Sequence, residues 1–158
     1  MKKKFKDPLR ILDASIISLC LARFNWAKYR KSKGAIKLHL NLDGDNCMPF
    51  DAYLTDGRVH EVKEMINLTQ ETGVIYVMDR GFVDYKSLYC IELRGSIFVS
   101  RMKSNGAFKR IHNNPHKEEG PVLSDVIIEL TGPPTKKAYP KPSYDNDENG
   151  TLYEKIVD

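Results

Sequence analysis

Apolar residues run along this chain at two spacings, near two for most of the first hundred positions and helical in two places. Between Arg10 and Leu21, Ile11, Leu12, Ile16, Ile17 and Leu19 crowd into a strand-like run. Residues 22–32 are basic and aromatic and fit either a short helix or a loop. Ala35 to Leu42 alternates strictly. Ile36, Leu38, Leu40 and Leu42 share one side, and Lys37, His39 and Asn41 share the other. That pattern predicts a half-buried strand with His39 on its exposed side. Asp43-Gly44-Asp45-Asn46 supplies residues that tolerate positive φ, so Cys47 to Leu54 is expected to return as the second arm of a hairpin.

After a second turn at Thr55-Asp56-Gly57, a helix is expected from His60-Glu61, with Val62, Met65, Ile66 and Leu68 on its apolar side and Gly73 as its stop. Val74 to Met78 is a short all-apolar run, the signature of a central strand covered on both faces. Tyr85 to Arg94 predicts a second helix, with Leu88, Ile91 and Leu93 inward and Gly95 as its end, and Ser96 to Arg101 predicts another strand. Prolines and turn clusters multiply past residue 104, where Val122 to Leu130 and Leu152 to Val157 read as strands. The expectation is an α/β core over residues 1–104 and a β-rich segment over 105–158. The core order is three antiparallel strands, helix, parallel strand, helix, strand.

Two carboxylates break the apolar pattern. Asp13 lies inside the first strand and Asp79 closes the run Val74 to Met78, about 65 residues later. A charge in such a place is costly unless it is paired, hydrogen-bonded or bound to a cation. In open α/β sheets, ligands gather at the C-terminal ends of parallel strands, where Asp79 falls. Asp13 lies beside it if the two strands are neighbours. Paired carboxylates repel, and a divalent cation removes that conflict. Two such ions about 3.5–4 Å apart can activate one oxygen and stabilise another in phosphodiester chemistry.

Charge adds a partner to that chemistry. The chain is only +4 overall, but residues 1–40 hold eleven Lys and Arg against two Asp. A basic first quarter fits a phosphate-facing surface, with a solvated basic face as the plain alternative. The three cysteines are isolated, which argues against a zinc site or a disulfide frame. No apolar stretch approaches the roughly 18 residues of a membrane span. No signal-peptide core follows Met1-Lys2-Lys3-Lys4.

Other polar residues have plainer readings. Asp79 could serve as a turn cap or as the partner of Arg80. Asp43, Asp45 and Asp56 read as turn residues, His60 as a cap or surface residue, and Trp26 and Tyr29 as core anchors rather than base-stacking platforms.

Four stretches together resemble one family: Leu12 to Leu19, Trp26 to His39, Thr55 to Glu61, and Val77-Met78-Asp79-Arg80-Gly81-Phe82-Val83-Asp84-Tyr85. They are similar to the catalytic core of bacterial insertion-sequence DDE transposases, whose fold is RNase H-like. The resemblance implies that Asp13 and Asp79 are the first two acids of a catalytic triad. With a glutamate they would hold two Mg²⁺ or Mn²⁺ ions for DNA cleavage and strand transfer. Lys28, Arg30, Lys31, Lys33, Lys37 and Arg80 are the candidate DNA contacts, and transposon ends and target DNA the implied partners. The resemblance also implies a bacterial cytoplasmic, nucleoid-associated protein, a homodimer in a complete transposase, and a β-rich insertion from about residue 105.

The chain departs from the family in three places. Ala14 stands where a small hydroxyl residue is usual. The family's N-terminal DNA-binding region is expected to be missing, since only twelve residues precede Asp13 here. The helix pattern Tyr-x2-Arg-x3-Glu-x6-Lys that carries the third acid occurs nowhere, and Tyr153-Glu154-Lys155 has its letters without its spacing. The expectation is therefore a partial transposase core. The alternatives are a catalytically inactive remnant that at most binds DNA, or another RNase H-like nuclease.

Overall fold

A computed structural model of the chain describes residues 5–20, 22–30, 33–115, 124–132 and 137–138. Six strands form one mixed sheet: β1 (Leu9–Leu19), β2 (Lys28–Arg30), β3 (Lys33–Asp43), β4 (Pro49–Asp56), β5 (Ile75–Met78) and β6 (Ile97–Ser100). Their order is β2-β3-β1-β5-β6, with β4 also paired to β3. β1 runs antiparallel to β3 and parallel to β5, and β5 runs parallel to β6. Helix α1 (Glu61–Leu68) leads into β5, and helix α2 (Tyr85–Leu93) links β5 to β6. Parallel neighbours need crossovers of this kind. A separate two-stranded sheet pairs β7 (Phe108–Asn113) with β8 (Val126–Leu130). The architecture is α/β with a mixed sheet.

Local chemistry sets the helix ends. The Asp84 carboxylate accepts the Ser87 N–H at 3.0 Å and its hydroxyl at 2.8 Å, capping α2. Gly95, at φ +67°, ends it, with its own N–H on the Glu92 carbonyl and the Ser96 N–H on the Ile91 carbonyl. Gly73, at φ +66°, makes the corresponding turn before β5. Gly95 is the expected stop, whereas α1 ends ahead of Gly73, at Leu68 with Thr69 as its cap.

The helices cover one face of the sheet. Leu12, Val74, Tyr76 and Met78 meet Met65, Leu68, Leu88 and Ile91 in the core. β3 reverses the expected faces. Lys37, His39 and Asn41 are at most 6% exposed, whereas Ile36, Leu38, Leu40 and Leu42 are only half-buried. The reason is α1, which packs on this face and presents polar groups at both ends, among them a last-turn carbonyl that the helix itself leaves unpaired. The Lys37 ammonium donates to the Val59 carbonyl at 2.7 Å and to Glu61 at 2.8 Å, and Asn41 Nδ2 donates to the Leu68 carbonyl at 2.8 Å. His39 Nε2 lies 2.8 Å from Thr55 Oγ1. His39 is thus a core residue, not the exposed one its alternation suggested.

Smaller corrections follow from the same packing. Ile66 and Leu93 are largely exposed, so the apolar sides of both helices are narrower than expected. In residues 22–30 a turn and the short β2 replace the helix or loop. Phe24 N–H bonds the Cys20 carbonyl, Ala27 N–H bonds the Phe24 carbonyl, and fully buried Ala27 anchors the segment. Trp26 is 63% exposed, so it is no core anchor. The strand expected from Val122 begins at Val126 among the described residues, and the run Leu152 to Val157, with Glu154, lies outside them.

Candidate functional site

The parallel ladder of β1 and β5 ends at the pair Leu12 and Met78, and that of β5 and β6 at Met78 and Ser100. One step further along all three strands stand Asp13, Asp79 and Arg101. Adjacent strands lie about 4.8 Å apart, and the two aspartates are the residues that directly follow the last pair of the ladder. The adjacency that Asp13 required is present. Leu12 and Met78 point into the core, so alternation turns both carboxylates to the opposite, open face. Both residues are exposed there.

Their surroundings differ. Asp13 accepts the Ser15 hydroxyl at 3.3 Å. Asp79 Oδ1 accepts Arg101 Nη2 at 2.7 Å, a charge-assisted length. The Arg101 guanidinium, reinforced by a hydrogen bond from the Arg80 backbone N–H, holds the Asp79 carboxyl below the usual carboxylate range. Asp79 therefore pairs with Arg101 through its side chain. Arg101 had no signal in the sequence, because only the β5–β6 register brings it beside Asp79.

Two carboxylates and open solvent make an oxygen-only donor set, which suits a hard divalent cation that keeps several waters. Of the two carboxylates, only that of Asp79 pairs with a cationic side chain among the described residues, that of Arg101. No cluster of three or more His, Cys, Asp or Glu able to hold a metal ion occurs among the described residues. A metal bound there would take two protein carboxylates, Asp13 and Asp79, from the described residues.

The basic candidates divide. Arg80 is exposed and adjacent to Asp79. Arg30 and Lys33 are exposed at the start of the β2–β3 edge, with the Arg30 guanidinium 5.3 Å from the Tyr29 ring centre. Gly34, next to Lys33, pairs with Leu19, six residues along β1 from Asp13, so this group lies about 20 Å from the aspartates. Lys28 contributes backbone to β2, and Lys31 lies outside the described residues. Lys37 is buried and paired with Glu61, which removes it from any nucleic-acid surface. A cleft of about 570 Å³ runs along the β6 edge, with Arg101 at its wall and neither aspartate in it. No helix among the described residues is long and apolar enough to cross a membrane.

The family model described as "Transposase DDE domain" matches residues 4–148. The chain is 29% identical over 102 residues to "Probable transposase for insertion sequence element IS5377" of Geobacillus stearothermophilus, covering 65% of this chain and 27% of that protein. It is 28% identical over 136 residues to "Putative transposase y4zB" of Sinorhizobium fredii, covering 82% of this chain and 37% of that protein. The chain thus spans about a third of the length of these curated relatives. No solved structure matches the chain significantly.

Proposed function

The chain belongs to the transposase DDE domain family, and from that premise we propose that it forms part of the catalytic centre of a metal-dependent DNA transposase. The observation that supports the proposal is that Asp13 and Asp79 each follow the last pair, Leu12 and Met78, of the parallel β1–β5 ladder. In this reading the mixed sheet is RNase H-like, residues 1–104 are its core, and residues 105–158 are a β-rich insertion. A third carboxylate comes from a segment in the part of the longer relatives that this chain does not match.

Asp13 and Asp79 would hold Mg²⁺ or Mn²⁺, which supplies activation of an attacking oxygen and stabilisation of a leaving one. This chain's residues do the rest. Arg80 sits where a phosphate approaching the aspartates would be met. Arg30 and Lys33, about 20 Å away, can grip the same strand some six nucleotides further on, with Lys28 and Lys31 in the same segment. Lys37 is not part of that surface. A second reading, DNA binding without catalysis, is favoured by the two-acid composition of the site among the described residues.

The two readings separate in a chimaera that joins this chain to a segment of a relative that the chain does not match. Mg²⁺-dependent nicking of transposon-end DNA is expected. Asp13→Asn and Asp79→Asn should each lower it by more than about a hundredfold, beyond the usual loss on removing a residue that merely supports a metal ligand. Equal cleavage by the Asp79→Asn chimaera would remove the two-metal reading.

A further inference from the structure

Arg101 is the third member of the row formed by Asp13 and Asp79, and it is the one with no part in the chemistry so far. Its guanidinium makes one ion pair among the described residues, a single contact from Nη2 to Asp79 Oδ1 at 2.7 Å. The fork of donors that could grip both carboxylate oxygens is used at one point only. The arginine side chain is 68% exposed and that of Asp79 57%, so the contact is held by little else and can open.

We propose that Arg101 is a built-in counter-ion that occupies Asp79 in the metal-free protein and is displaced by the divalent cation, so that it lowers the affinity of the site for that cation. The proposal rests on the metal reading of Asp13 and Asp79. A guanidinium and a divalent cation on one exposed carboxylate repel each other, so occupancy by one weakens the other. Arginine does not deprotonate at any ordinary pH, so its charge can leave only by movement of the side chain. The site is asymmetric in the way this requires. Asp13, with only the Ser15 hydroxyl as a partner among the described residues, is open to a cation from the start. Asp79 is the half that must first be vacated.

The test titrates the full 158-residue chain with Mn²⁺ alone and follows free Mn²⁺ by electron paramagnetic resonance. Arg101→Gln should bind Mn²⁺ about two- to fivefold more tightly than the original chain, the range expected for losing competition from an exposed ion pair. Arg101→Lys, which keeps the charge, should stay near the original affinity. The gain should disappear in the double variant Arg101→Gln with Asp79→Asn. Circular dichroism should show all forms folded alike, because Arg101 is exposed. Equal or weaker binding by Arg101→Gln, with Asp79→Asn still weakening the original chain, would overturn the counter-ion and leave the metal site standing. Affinity untouched by both Asp13→Asn and Asp79→Asn would overturn the metal reading and the counter-ion with it.

Discussion

His39 has a fully buried imidazole whose Nε2 meets Thr55 and whose Nδ1 has no hydrogen-bond partner among the described residues. Burial pushes its pKa below the ordinary value near 6.5. The unfolded chain therefore takes up a proton at a pH where the folded protein still resists it. Stability falls as pH drops through about 6.5 and continues to fall until the folded form is protonated. The lowered carboxylates act in a different window. Asp43, Asp56 and Asp79 are held low by the Asp45 N–H, Arg58 and Arg101 respectively, and their contribution is lost only below the ordinary carboxylate range. Between about pH 5 and 7 the melting temperature should fall more steeply in the original chain than in His39→Gln. Parallel slopes would show that another group titrates there. Among single residues, Asp13 and Asp79 were legible in the sequence because a charge in an apolar strand needs a reason to be there. His39 and Lys37 were not, because alternation reports a period of two but not which side a helix will cover.

Each end of α1 is held to β3 by a polar side chain. Lys37 takes the Val59 carbonyl and the Glu61 carboxylate where the helix begins, and Asn41 takes the Leu68 carbonyl where it ends. Lys37→Met leaves a carbonyl and a carboxylate without their partner, a loss of about 1–3 kcal/mol. It should appear as a lower urea midpoint with an unchanged slope. Its DNA affinity should keep the same salt dependence. Lys33→Met should do the reverse, leaving stability nearly intact and reducing the salt slope by about one. A reduced salt slope on Lys37→Met would return that lysine to the DNA surface. Apart from β2, the order of strands and helices through residue 100 was legible because apolar spacing, turn residues and the stop at Gly95 agree. β2, only three residues long, carries no period to read, and the β1–β5 pairing is a long-range contact that no local pattern encodes.

Among the described residues, helices pack on one face only of the main sheet. Helices cover the face that carries Leu12, Tyr76 and Met78, while the other face presents Ile11, Val77 and Val99 in one row across three strands, with Leu38 beside Leu54 on β3 and β4. Leu54 is 65% exposed, Ile97 54% and Val99 38%. A continuous apolar surface on a sheet face calls for a second layer. Asp13 and Asp79 open onto the same face, so a carboxylate-bearing segment packed there would bury the apolar rows and deliver a third acid to the aspartates in one step. The 158 residues alone should therefore bind a hydrophobic dye such as anilinonaphthalene sulfonate while folded. The chimaera that carries the added segment should bind much less of it. Leu54→Lys and Val99→Lys should lower dye binding in the 158-residue chain without lowering its melting temperature, because neither residue lies in the buried core. In the chimaera the same two substitutions should be destabilising and should reduce nicking together with stability. Unchanged stability of the substituted chimaera would mean that the segment packs elsewhere, and that the third acid cannot arrive by way of this face.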